Sequence, residues 1–231
     1  MPNLVLLRHG QSEWNLANRF TGWWDVRLSD KGLAEAEAAG ALMKEKGLVF
    51  DIAYTSYLTR AIKTLNLALE AMDMLWLDVI KSWELNERHY GGLTGYNKKE
   101  MAEKVGEDQV FTWRRSFDIP PPPQEADSPY RIDSDIRYRN LPVDKLPETE
   151  SLKDTIERCL PYFSGLITAD LKAGKNVIIS AHGNSLRALV KHLDGLSDDE
   201  ISGVEIPTGQ PLLYALSDTL SVTDKYYLKD R

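Results

Sequence analysis

Apolar residues fall in short unbroken runs along this chain, each closed by a polar break. LVLL, at Leu4 to Leu7, is continuous rather than alternating, which suits a strand buried on both faces. FDIAYTS and WLDVIKS read as second and third strands, and NVIIS, before Ala181, as a fourth. Between them the period lengthens. LSDKGLAEAEAAGALMKEKG reads as a helix with Ser29 as cap and Gly47 as stop. RAIKTLNLALEAM, SLKDTIERCLPYFSGLITADLKAG and NSLRALVKHLDG also read as helices, the second with a kink expected at Pro161. SDDEIS has the start of a capping box, and PLLYAL and DKYYL read as closing strands. The tract from about residue 85 to about 148 is irregular. It holds the helical NKKEMAEKVG and the run DIPPPPQEADSPY, an extended surface loop by its prolines. Strands alternating with helices predict an α/β fold with a mostly parallel central sheet and helices on both faces. There is no repeat of solenoid type. The whole of 1–231 reads as one domain, with the irregular tract inserted over the carboxyl ends of the strands.

Composition narrows the function classes. At 231 residues and 42% hydrophobic, the chain can bury a large core. Its net charge of −7 argues against nucleic acid or an anionic membrane as partner, since both demand a positive surface. A small anionic ligand stays open, because local fields depend on where the basic residues sit. The one cysteine, Cys159, permits no disulfide within the chain; it reads as a small buried hydrophobe in a protein of a reducing compartment. MPNLVLLRHG is too short in its apolar part for a signal peptide or a membrane span, so a cytoplasmic location is expected.

Two of the strands end in the same device: Leu4–Leu7 leads to RHGQS, and NVIIS leads to AHGNS. Ligands of open α/β sheets collect outside the carboxyl ends of the strands. If the two strands are parallel neighbours, His9 and His182 emerge side by side. Gly10 and Gly183 would let backbone approach a ligand, and the helix opening near Asn184 would favour an anion. Arg8, Arg60, Glu87 and Arg88 belong to carboxyl-end segments as well. No acidic cluster with metal spacing and no GxxxxGK[ST] loop accompanies them. This set suits phosphoryl transfer without a metal: a neutral imidazole as nucleophile, a second imidazole as donor, guanidinium forks around the oxygens and a carboxyl group as proton shuttle.

RHGQSEWN with NRFTGWWDVRLSDKG resembles the signature of the histidine phosphatase superfamily. AYTSYLTRAIKT, WELNERHYGGLTGYNK, WRRSFDIPPPP, ETESLKDTIERCLPY, IISAHGNSLRALVKHLDG and IPTGQPLLY resemble one branch of it, the 2,3-bisphosphoglycerate-dependent phosphoglycerate mutases. The similarity runs over nearly the whole chain. It implies His9 as the phosphorylated nucleophile, Arg8 and Arg60 as phosphate clamps, His182 as stabiliser of the transferred group and Glu87 as general acid/base. It implies substrate contacts from Ser12, Asn15, Thr21, Gly22, Arg88, Tyr90, Lys98, Arg114, Arg115, Gly183 and Asn184. The implied reaction interconverts 2- and 3-phosphoglycerate. 2,3-bisphosphoglycerate primes the histidine, no metal takes part, and the assembly is a homodimer or homotetramer. Water must be kept from the phosphohistidine, and the proline-rich run is a candidate part of the cover. Many members carry a longer C-terminal tail; the short one here bears on how well water is excluded, and so on the ratio of mutase to phosphatase activity.

Plainer roles are expected for His89 and His192, which read as packing or surface residues. Trp23, Trp24, Trp76 and Trp83 read as core or loop anchors. Two rival readings compete with the mutase: a bisphosphoglycerate phosphatase or phosphomonoesterase on the same scaffold, and a non-catalytic anion binder.

Overall fold

The computed structural model describes residues 1–231. Its six strands, β1 (Asn3–Arg8), β2 (Ile52–Thr55), β3 (Val79–Lys81), β4 (Val177–Ala181), β5 (Pro211–Leu216) and β6 (Val222–Tyr227), form one sheet in the order β3-β2-β4-β1-β5-β6. β3, β2, β4 and β1 are parallel neighbours. β5 runs antiparallel to β1, and β6 to β5. The parallel strands are separated in sequence by helical crossovers, whereas a short turn suffices between β5 and β6.

Nine helices accompany the sheet: α1 (Glu13–Leu16), α2 (Asp30–Glu45), α3 (Thr59–Ala71), α4 (Lys98–Val105), α5 (Glu107–Arg115), α6 (Leu152–Tyr162), α7 (Thr168–Lys172), α8 (Gly183–Asp194) and α9 (Asp198–Gly203). The continuous apolar runs have a simple cause, since successive strand residues face opposite layers. Leu4, Leu6, Tyr54 and Ile179 pack with Phe163 and Ile167 beyond α6 and with Leu186 and Leu189 of α8. Val5, Leu7, Ala53 and Ile178 pack with Ala39 and Met43 of α2 and with Leu65 and Ala68 of α3. Leu4 to Leu7 are wholly buried, each contributing about 1.5–3 kcal/mol.

The helix ends follow their sequence signals. The Ser29 hydroxyl accepts from the Gly32 N–H, and the capping box at Ser197 and Glu200 is formed. Some local expectations need correction. α5 was not legible as a helix: of EDQVFTWRR only Val110 is buried, so the stretch lacks a clear apolar face. Pro161 lies inside α6, as the expected kink allows, and a π turn at Phe163–Ile167 follows before α7 continues. Trp76 is 72% exposed and anchors nothing, whereas Trp23 is fully buried. The proline run packs on Gly92 and Thr149. The Pro122 carbonyl accepts from the Gly92 N–H at 2.7 Å, and the Pro121 carbonyl from the Thr149 hydroxyl at 2.8 Å. The run borders a cavity of about 600 Å³ that holds none of the candidate residues.

Gly10 also has a different reason from the one expected. A Cβ there would overlap the carbonyl oxygen of Gly32, and one on Gly32 would overlap that of Gln11. The loop after β1 thus lies backbone to backbone on the first turn of α2. Gly32→Ala is expected to destabilise the fold by about 1–3 kcal/mol, as overpacking does. Urea unfolding checks this through a lowered midpoint at unchanged slope.

Candidate active site

Arg8 of β1 lies opposite Ala181 of β4 in the parallel register, and the His9 N–H donates to the Ala181 carbonyl at 3.0 Å. The next residue on each chain is a histidine, so the ladder itself sets the two rings side by side. Their centroids are 5.0 Å apart, with the planes tilted by 60°. His9 Nδ1 lies 2.7 Å from the Gly10 carbonyl oxygen. A carbonyl only accepts, so Nδ1 carries the proton and Nε2 keeps its lone pair. The loop is pinned again where the Gly10 N–H donates to the Thr64 hydroxyl, which donates to the Arg60 carbonyl. His182 caps α8, and its Nε2 lies 2.7 Å from the Ser56 hydroxyl.

Burial, with Arg60 and Arg8 adding their charge, holds the His9 imidazole well below its ordinary value of 6.5. Burial and then Arg60, His9 and Arg8 do the same to His182. Both rings are therefore neutral at pH 7. His89 is also pushed down, to about 4, chiefly by burial. A histidine whose folded value is depressed keeps its full stabilising effect above the unfolded value, and that effect is lost as pH falls from there to the folded value. Unfolding free energy is expected to decline as pH drops from about 6.5 towards 4, His89 alone accounting for roughly 3 kcal/mol. Denaturation at a series of pH values checks the slope.

Arg60 lies in the first turn of α3, almost wholly buried. It donates to the carbonyls of Gly22 at 2.7 Å and Trp24 at 3.1 Å. Burial pushes its pKa down to about 10, still charged at neutral pH. Arg8 donates through Nη1 to the Ile206 carbonyl at 2.7 Å, and its buried Nε has no partner. Glu87 Oε1 accepts three N–H groups: its neighbour Arg88 at 2.8 Å, the Asn184 backbone at 3.0 Å and the Asn184 amide at 2.9 Å. The anion at the N-terminus of α8 is thus the Glu87 carboxylate. Burial alone would raise the Glu87 pKa. The Arg88 and Asn184 hydrogen bonds, with the charges of Arg8 and Arg60, outweigh it and hold the carboxyl below its usual range.

Two adjoining cavities open here, of about 60 and 290 Å³, sharing Arg8, Glu87, Tyr90 and Lys98 as walls. Seven cationic side chains and two carboxylates line them, a positive pocket in an acidic protein.

A sequence profile described as the histidine phosphatase superfamily (branch 1) matches residues 4–134 and 129–214. The chain belongs to the histidine phosphatase superfamily. Among its relatives, a protein of Sphingopyxis alaskensis is 63% identical over the full length of both chains, and one of Zymomonas mobilis 62% identical over the same span. A protein of Streptococcus mutans is 58% identical over 99% of each chain. All three are named 2,3-bisphosphoglycerate-dependent phosphoglycerate mutase. Among solved structures, a mycobacterial glucosyl-3-phosphoglycerate phosphatase bound to VO3 shares the fold, with a TM-score of 0.72. The match has 21% identity and covers 98% of this chain and 97% of that one.

In this member of the superfamily the remaining candidates divide by position. Asn15, Thr21 and Gly22 line the smaller cavity with His9 and Arg60. Arg114, Arg115, Gly183 and Asn184 line the larger one. Ser12 and Arg88 line neither. The Ser12 hydroxyl accepts from the Asn15 N–H and caps α1, while Arg88 lies 4.7 Å from the Tyr90 ring and donates to the Arg114 carbonyl. Both are fully buried and hold neighbours that reach the cavity. Arg19, Arg187 and Glu205 were missed. Arg187 stands three residues after Asn184 on α8 and donates to its side-chain oxygen at 3.1 Å, a spacing the motif HGNSLR contained. Glu205 pairs with Arg115 from a loop, and no sequence pattern marks it. His89 accepts the Gly91 N–H and stays outside the cavities.

Proposed function

We propose that this chain is a 2,3-bisphosphoglycerate-dependent phosphoglycerate mutase, interconverting 2- and 3-phosphoglycerate through phosphorylated His9. The observation that carries the reading is the neutral His9 ring, its Nε2 free, 5.0 Å from the His182 ring inside a wall of guanidinium groups. The full-length relatives supply the substrate class.

The cation-lined cavities and the unpartnered Arg8 Nε fit a multiply charged phosphate ester. Bound 2,3-bisphosphoglycerate supplies the phosphoryl group that charges His9. His9 Nε2 gives its lone pair to phosphorus as the ester P–O bond breaks, and the leaving oxygen takes a proton from Glu87 in its acid form. Arg8 and Arg60 neutralise the charge on the migrating group, and His182 lies beside it as a hydrogen-bonding partner. For the return transfer, ionised Glu87 takes the proton of the acceptor hydroxyl while the P–N bond breaks and His9 recovers its lone pair. Glu87 then returns that proton to the leaving oxygen when His9 accepts the other phosphoryl group, so protons balance over one cycle. Arg114, Arg115, Arg187 and Lys98 face the space left for the rest of the substrate.

The reading includes metal independence, since guanidinium groups already supply the positive charge a metal would bring. It also includes a cytoplasmic location, where the buried Cys159 stays a thiol. No helix is long and apolar enough to cross a membrane. The test is turnover of 3-phosphoglycerate with and without a trace of 2,3-bisphosphoglycerate. The expected product is 2-phosphoglycerate with little free phosphate, dependent on the bisphosphate and indifferent to a chelator. Free phosphate as the main product would make the chain a phosphomonoesterase.

A further inference from the structure

Glu87 sits in a segment that belongs to no sheet and no α-helix. After the single turn Trp83–Leu85, the chain from Asn86 to His89 is buried and irregular. Buried carbonyls and N–H groups need partners, and here a single ion pair supplies most of them. Arg158 of α6 donates through Nη1 to the carbonyls of Glu84 at 2.7 Å and Asn86 at 3.1 Å. Through Nη2 it donates to the carbonyl of Glu87 itself at 2.9 Å. Its other N–H groups grip both oxygens of Glu150, at 2.6 and 2.9 Å. Glu150 closes the clamp from the other side. Its Oε2 accepts the His89 N–H at 2.7 Å, and its own N–H donates to the His89 carbonyl at 2.9 Å. Both side chains are nearly buried, at 9% and 4% exposure. Neither lines a cavity of the site.

We infer that Arg158, fixed by Glu150, is a positioning residue that sets where the Glu87 carboxylate stands. The inference rests on the proposed proton-shuttling role of Glu87. Glu87 is held at two points: its carboxylate by Asn184 at the head of α8, and its backbone by Arg158 on α6. Those two helices meet across the sheet face that packs Leu186 and Leu189 against Phe163. Only a planar guanidinium with five donors can serve three carbonyls and both carboxylate oxygens at once. A lysine keeps the charge and loses the fork. A shift of about 1 Å in a proton shuttle costs on the order of 100-fold in rate.

The test is a double-mutant cycle on isomerisation of 3-phosphoglycerate, with Arg158→Lys, Glu87→Gln and the pair. Arg158→Lys alone is expected to lower kcat by about 10–100-fold, with KM changed by less than about 3-fold. In the Glu87→Gln background the same change is expected to cost less than about 3-fold, because the group it positions is already gone. Equal loss in both backgrounds would overturn the inference, since a merely structural role does not depend on Glu87. No loss in either would overturn it as well. Should Arg158→Lys fail to give a cooperative thermal transition, Glu150→Gln loosens the clamp from the other partner and is put through the same cycle. Failure of the underlying reading shows separately, as absence of 2-phosphoglycerate from the unaltered chain; the cycle is then run on phosphate release from the same ester.

Discussion

His9→Ala is expected to lower isomerisation by a factor on the order of 10⁴–10⁶, the range seen when a nucleophile acting as part of a unit is removed. The fold should survive, because the loop after β1 keeps its other anchors: the His9 N–H on Ala181 and the Gly10 N–H on Thr64. His182 cannot take over. Its Nε2 is engaged by Ser56, and it occupies the cap of α8 rather than the exit of β1. The measurement is acid-labile phosphate on the protein after incubation with labelled 2,3-bisphosphoglycerate. The unaltered chain should hold label, and His9→Ala should hold none. Equal labelling of the two would move the covalent step to another residue and end the proposed mechanism.

Glu87→Gln comes next in size, with an expected loss of about 10²–10⁴ in kcat for isomerisation, the usual share of a proton shuttle. The exchange is nearly isosteric. The glutamine carbonyl can accept the three N–H groups that now meet Oε1, so the head of α8 stays in place. What disappears is the site that takes and returns the proton. The pH profile gives an independent reading. Because the Glu87 carboxyl is held below its usual range, the unaltered chain should keep its ionised base down to mildly acidic pH and lose activity only below that. The stability that Glu87 contributes follows the same sign: present above the unfolded value near 4.5, lost as pH falls through the lower folded value. In Glu87→Gln the acid limb due to this group should vanish. A loss under threefold, with the limb unchanged, would reduce Glu87 to an ion-pair partner of the arginines.

Much of this was legible in the sequence, for physical reasons. LVLL and NVII are too apolar to sit anywhere but between two layers, and a polar RHG or AHG directly after such a run must emerge at an edge. That logic reached His9, His182, Arg8 and Arg60 without coordinates. It did not give the directions of β5 and β6, because alternation in a strand says nothing about its neighbour. Nor could it see α5, whose Arg114 and Arg115 reach the larger cavity from a helix with one buried residue. Ser12 and Arg88 stand close to cavity residues in sequence yet do not line the cavity, since side-chain direction is settled by caps and stacking. Gly10 was expected to make room for a ligand and instead makes room for Gly32. Arg158 lies within α6 and Glu150 just before its cap Ser151, and neither was singled out in the sequence; only the backbone partners around Glu87 reveal what they hold.

The register of β1 on β4 has one more implication. Hydrogen bonds of the main chain space the two imidazoles, whereas Arg114, Arg115 and Glu205 come from a peripheral helix and a loop. The imidazole spacing is thus fixed by the sheet, and a substitution at Arg114, Arg115 or Glu205 leaves it in place.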